Sequence, residues 1–177
     1  MARNKYVRDY RLVENIDERG RVRTETEYIG DYFWFVDGPA AAREKKNAVI
    51  LCVAGWIAFI LALAPYSAGM RTMYVSLPFA FTALPLGMLT ELAVSNARAK
   101  EPLEHHQADK LRNSYPPRAV ATAVLPCAAL AGELVRLVLD RSGMGWGDAV
   151  FSLCAAGVAF CGRTIYARRK GLDVYKK

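Results

Sequence analysis

Four long apolar runs, about Asn47–Ala64, Met73–Val94, Ala119–Leu139 and Ala149–Tyr166, constrain this chain more than any other feature. A helix needs about 20 apolar residues to cross the ~30 Å hydrocarbon core of a bilayer, and each run reaches or approaches that length. The expectation is an all-α integral membrane protein, a four-transmembrane-helix bundle with a short N-terminal cytoplasmic β-hairpin. Residues 1–46 form the hairpin and an interfacial segment in this reading, 47–166 the four crossings, and 167–177 a basic cytoplasmic tail.

Averages over the whole chain conceal this division. The first 46 residues hold 10 Lys/Arg and 9 Asp/Glu, whereas the four runs hold few charges. A signal peptide would place its apolar core directly after a short basic start. Here the first run begins near residue 47, so the N-terminal segment is expected to stay on the side where it is made. Lys and Arg gather before the first run (Arg43, Lys45, Lys46), between the second and third (Arg98, Lys100, Lys110, Arg112, Arg118), and in the tail (Arg163, Arg168, Arg169, Lys170, Lys176, Lys177). The two short connections carry one cation each, Arg71 and Arg141. Cytoplasmic loops hold the Lys/Arg excess, which puts both termini and the middle loop in the cytoplasm. Small size and the lack of targeting signals suggest a bacterial inner membrane.

The formal net charge of +7 raises nucleic acid as a partner, and its distribution argues against one. The surplus lies beside helix ends, where it attracts anionic head groups, while the N-terminal region is close to neutral. Arg168, Arg169 and Lys170 are therefore the candidate lipid head-group contacts.

Residues 5–33 alternate as strands do. Tyr6, Tyr10 and Leu12 stand between charged neighbours, as do Val22, Thr24, Thr26 and Tyr28. A turn through Asn15–Gly20 would bring Tyr10 near Thr26 and Leu12 near Thr24. A lone two-stranded hairpin is marginal in water, so this one must lean on the membrane, a second copy or another protein. Tyr32, Phe33, Trp34 and Phe35 follow, and suit either the interfacial aromatic belt or a buried strand end. Asp37-Gly38-Pro39 then breaks the chain, with Pro39 fit to serve as an early helical residue.

Within the runs, small residues recur at helical spacing: Ala54, Ala58 and Ala62; Ala128 and Gly132; Gly157 with Cys161. Membrane helices gain by close backbone approach across small side chains, so these mark packing faces. Pro78, Pro85 and Pro126 each remove a backbone donor and predict kinks. The second helix, with two of them, is the one to bend, either as a static kink that improves packing or around a cavity or hinge.

Candidate chemistry is sparse. Glu133 and Arg136 lie three residues apart in the third run, where ionisable groups are costly and suggest function. They can pair on one helix face, either as an ion or gating site or as a structural pair with Arg136 reaching toward Asp140. Glu91, near the cytoplasmic end of the second run, is a weaker candidate for the same path. His105 and His106 sit among Glu101, Glu104 and Asp109, but adjacent histidines diverge on a helix and no structural zinc spacing occurs; a solvated loop is expected. The four cysteines lie inside apolar runs with no Cys-x-x-Cys pair, and behave as small apolar residues. No phosphate loop, nucleophile elbow or His-Glu metalloprotease motif is present. No cofactor, metal or catalytic residue is assigned.

The functional expectation is a non-catalytic multi-pass subunit or scaffold. It would associate with another membrane protein or a second copy through the small-residue faces and the hairpin. The alternative is a small oligomeric transporter or channel using Glu133, Arg136 and a proline-kinked second helix.

Overall fold

A computed structural model describes residues 6–16, 22–140 and 144–176. The turn expected within Asn15–Gly20 falls mostly outside them. The molecule is mostly helical, and four helical stretches are long and apolar enough to cross a membrane: Gly38–Leu63, Met73–Arg98, His105–Leu139 and Trp146–Leu172. All four extend beyond the apolar runs that announce them.

Helix α1 (Gly38–Leu63) starts where Asp37 caps it. The Asp37 carboxylate accepts from the Ala40 N–H at 3.0 Å, and Pro39 occupies the first turn. That satisfies one of the orphan donors of a helix start. The second crossing comprises α2 (Met73–Phe81) and α3 (Ala83–Arg98), interrupted at Thr82. Pro85 has no N–H to offer the Phe81 carbonyl, and the ladder tightens there, with Thr82 N–H donating to Phe79 at 3.0 Å. The Thr82 hydroxyl turns back to the Pro78 carbonyl. The third crossing starts earlier than the sequence suggests. A short helix α4 (His105–Asp109) and a π turn (Lys110–Ser114) lead into α5 (Tyr115–Asp140). Pro116 and Pro117 cannot bond the carbonyls one α-turn back. The backbone widens instead, and Tyr115 N–H reaches the Lys110 carbonyl. Beyond the wide turn, α5 runs unbroken through Pro126. Helix α6 (Trp146–Arg168) completes the bundle.

The helices form a closed ring: α1 packs on α6 and α3, and α5 packs on α6, α2 and α3. Two cores stack along its axis. One centres on Phe59, Phe79 and Phe151, with Phe79 stacked on Phe59 at 4.9 Å and edge-on to Phe151 at 5.0 Å. The other joins Cys52, Leu89, Tyr115 and Ile165 to Phe35, Leu103 and Leu172 from outside the helices α1 to α6. The outer faces are apolar: Ile57, Ile60, Leu84, Leu134, Val138 and Leu153 are each more than half exposed. A surface this greasy all round suits hydrocarbon, because a soluble monomer seldom exposes large contiguous apolar patches.

Strands β1 (Tyr10–Ile16) and β2 (Val22–Tyr28) pair antiparallel. Tyr10 faces Tyr28 and Leu12 faces Thr26, two residues away from the expected pairing. A shift of two keeps every side chain on its face. A second sheet, order β4-β3-β5, joins β3 (Tyr32–Phe35) to β4 (Leu103–Glu104) and β5 (Val174–Lys176). The four consecutive aromatics thus form the central strand of a sheet of their own, not the end of β2. That sheet places the N-terminal segment, the middle connection and the C-terminal tail at one end of the bundle, called the sheet end below.

Candidate functional site

At the opposite, distal end, three ionisable side chains are buried together. Glu133 and Arg136 lie on neighbouring turns of α5, and Asp148 lies in the first turn of α6. Their exposures are 1%, 3% and 4%. The Arg136 guanidinium donates to Glu133 Oε1 from Nε at 3.1 Å and from Nη2 at 2.5 Å, and from Nη2 to Asp148 Oδ2 at 2.8 Å. The pair foreseen from sequence therefore exists, and its second carboxylate is Asp148. The side chain of Asp140, the alternative partner, is outside the described residues.

Asp148 ties the distal loops together. Its Oδ1 accepts from the Ser67 hydroxyl at 2.8 Å and the Ala68 N–H at 2.9 Å, and its Oδ2 from the Gly145 N–H at 3.2 Å. One carboxylate thus holds the α1–α2 connection, the start of α6 and, through Arg136, the end of α5. The position suits an acid, because the partial positive charge of a helix N-terminus favours a carboxylate.

Glu133 is less completely satisfied. Its Oε2 is buried and has no hydrogen-bond partner among the described residues. It lies against Gly69, where any Cβ would overlap the carboxylate; glycine is what lets the distal loop cross over the acid. Among the described residues the cluster holds one cation and two carboxylates. It can act as a structural lock, and the spare oxygen can accept a proton or a cation. Sequence reasoning missed Asp148, Ser67 and Gly69. The available signal was an acid in the first helical turn behind Gly145; its partner on another helix had none.

The remaining candidates are dispersed. Glu91 is exposed on α3, away from the cluster. Ala62 is fully buried, Ala58 is half-buried beside Gly157, and Gly132 packs against Tyr74 and Val75. Ala54 and Ala128 are exposed. Helices α5 and α6 approach closely at Gly162, where a Cβ would lie 2.8 Å from the Ala123 backbone nitrogen. Arg168 approaches Glu44 at 3.7 Å, Arg169 covers the Tyr166 ring at 3.8 Å, and Lys170 is exposed.

His105 and His106 do not lie in a solvated loop. They start α4 beneath the β1–β2 pair, because the residues preceding β1 and the strand ends grip this helix. Tyr6 Oη donates to Asp109 Oδ2 and Tyr10 Oη to Glu104 Oε2, both at 2.6 Å. His105 N–H donates to Tyr28 Oη at 2.8 Å, and its Nδ1 lies 3.1 Å from Asp9 Oδ2. The Tyr6 ring meets both histidine rings edge-on. Hydrogen bonding to the Glu104 carboxylate pushes the Tyr10 phenol up to about 12, and burial raises that of Tyr28. No group of three metal-ligating side chains occurs among the described residues. The strand pair leans on the chain's own middle connection. Comparison with protein-family models, curated proteins and solved structures returns no match to this chain.

Proposed function

We propose that this chain is a non-catalytic multi-pass subunit or scaffold of a cell membrane, the bacterial inner membrane by its size, with both termini cytoplasmic. The observation that carries the reading is the construction of the sheet end. Three segments distant in sequence are knitted into one platform by β4-β3-β5 and by the clamp of the strand pair on α4. Such a platform is rigidly joined to the bundle, since Phe35, Leu103 and Leu172 share a core with α1, α3 and α5. Among the described residues the β1–β2 pair has no third strand, and its edges can accept one by main-chain hydrogen bonding. A partner protein or a second copy docks there.

Purification in mild detergent with mass measurement tests this. A hetero-complex or homo-oligomer that dissociates when residues 1–31 are deleted supports the reading; a stable monomer that captures nothing overturns it.

One observation favours a second reading, a small oligomeric transporter or channel. The spare Glu133 oxygen is a place for a proton or cation inside the bundle, and the break at Thr82 gives the second crossing a point of movement. Cation flux into proteoliposomes that disappears in Glu133→Gln would support it; flux equal to that of empty vesicles would reject it.

A further inference from the structure

We propose that the α5–α6 seam holds a phospholipid with an anionic head group, its acyl chain in the groove and its phosphate among arginines at the sheet end. The proposal rests on the membrane reading above and is independent of the scaffold role.

The groove has a volume of about 490 Å³ and is lined by Val124, Cys127, Leu130, Ala156 and Phe160, with Arg163 and Tyr166 at its sheet-end mouth. Its origin is the close approach of the two helices at Gly162, flanked by short side chains that leave the outer seam unfilled. From Leu130 to Val120 and from Ala156 to Tyr166 it runs ten residues along each helix. At 1.5 Å per residue that is ~15 Å, about the depth of one leaflet of a ~30 Å core. It opens on the face directed at hydrocarbon, so a lipid chain reaches it without crossing protein.

A second, polar cleft of about 470 Å³, lined by Arg112, Tyr115, Pro116, Arg169 and Asp173, lies at the sheet end. The two share no lining residue and are linked by neighbouring ones. Arg169 lines the polar cleft and lies over the ring of Tyr166, which lines the groove. On α5, Pro116 of the cleft is one turn from Val120 of the groove. Arg112 and Arg163 have no ion-pair partner among the described residues; two arginines and one aspartate line the cleft, and a third arginine, Arg163, lines the groove. An apolar slot one leaflet deep, ending in surplus arginine at head-group level, matches an acidic phospholipid in both halves. A neutral helix from a second copy would leave the arginines unanswered.

The test uses the full chain in mild detergent, titrated with phosphatidylglycerol or phosphatidylcholine and read by native mass spectrometry. The wild-type chain should retain phosphatidylglycerol selectively. Arg163→Gln should lower that selectivity about five-fold, the worth of one cation at a membrane surface, while still binding lipid. Ala156→Phe fills the slot without touching charge and should abolish retention of both lipids. Cys127→Phe obstructs it from α5 and serves if the first variant does not fold. Equal retention of the two lipids by wild type, or retention unchanged in folded slot-filled variants, overturns the proposal. So does efficient Cys127–Cys127 cross-linking between copies, which would assign the seam to a dimer. A chain that stays monodisperse without detergent would instead remove the membrane reading itself.

Discussion

At the scale of single residues, the account turns on how the buried charges are satisfied. Removing one partner of a buried ion pair leaves an uncompensated charge and costs about 3–5 kcal/mol. Arg136→Gln strands two carboxylates and should lower stability by that amount. Glu133→Gln should cost less, because its amide oxygen still accepts from Arg136 and the unpartnered Oε2 is exchanged for a neutral group. Thermal unfolding in detergent reads the order, and equal losses would contradict the bonding pattern described. A second test lies at the sheet end. The folded Tyr10 phenol is raised to about 12 from 10 by its bond to Glu104. The contact is thus intact below pH 10 and is lost as pH climbs through about 12. Ultraviolet titration should show a late tyrosinate in the wild-type chain that moves toward 10 in Glu104→Gln; an unchanged titration would place Tyr10 elsewhere. The sequence revealed Glu133 and Arg136 because charges in an apolar run stand out. Asp148 stayed hidden because it begins a run and its partner lies 12 positions away across a loop.

At the scale of elements, the helices were legible and most of their ends were not. The start of α1 is the exception, because Asp37-Gly38-Pro39 marks it ahead of Arg43, Glu44, Lys45 and Lys46. At His105–Ser114 an apparent loop is helix, held by Tyr6 on Asp109 and Tyr28 on His105, with Tyr10 on the preceding Glu104. The strand pair was readable from alternation, but its register was not, since alternation repeats every two residues. The three-stranded sheet gave no signal, because its strands are two to four residues long and far apart in sequence. Helix contact makes its own prediction at Gly162. Replacing it with Leu drives a side chain into the α5 backbone and should cost about 1–3 kcal/mol, as overpacking does. Ala156→Leu, one and a half turns away and exposed, should cost little. Matching thermal midpoints for the two would deny the close crossing.

At the scale of the whole molecule, four helices long and apolar enough to cross a membrane, a locked distal end and a knitted sheet end describe one body. The apolar runs made the four helices visible early. The convergence of three segments at the sheet end needed coordinates, because it depends on pairings between short strands with no periodicity of their own. The most direct measurement is side-specific labelling of single cysteines with a membrane-impermeant maleimide, in a cysteine-free background and sealed cells. Leu12→Cys at the sheet end should label only after permeabilisation, and Tyr66→Cys at the distal end should label at once. Labelling of both from the same side would contradict the four-crossing bundle.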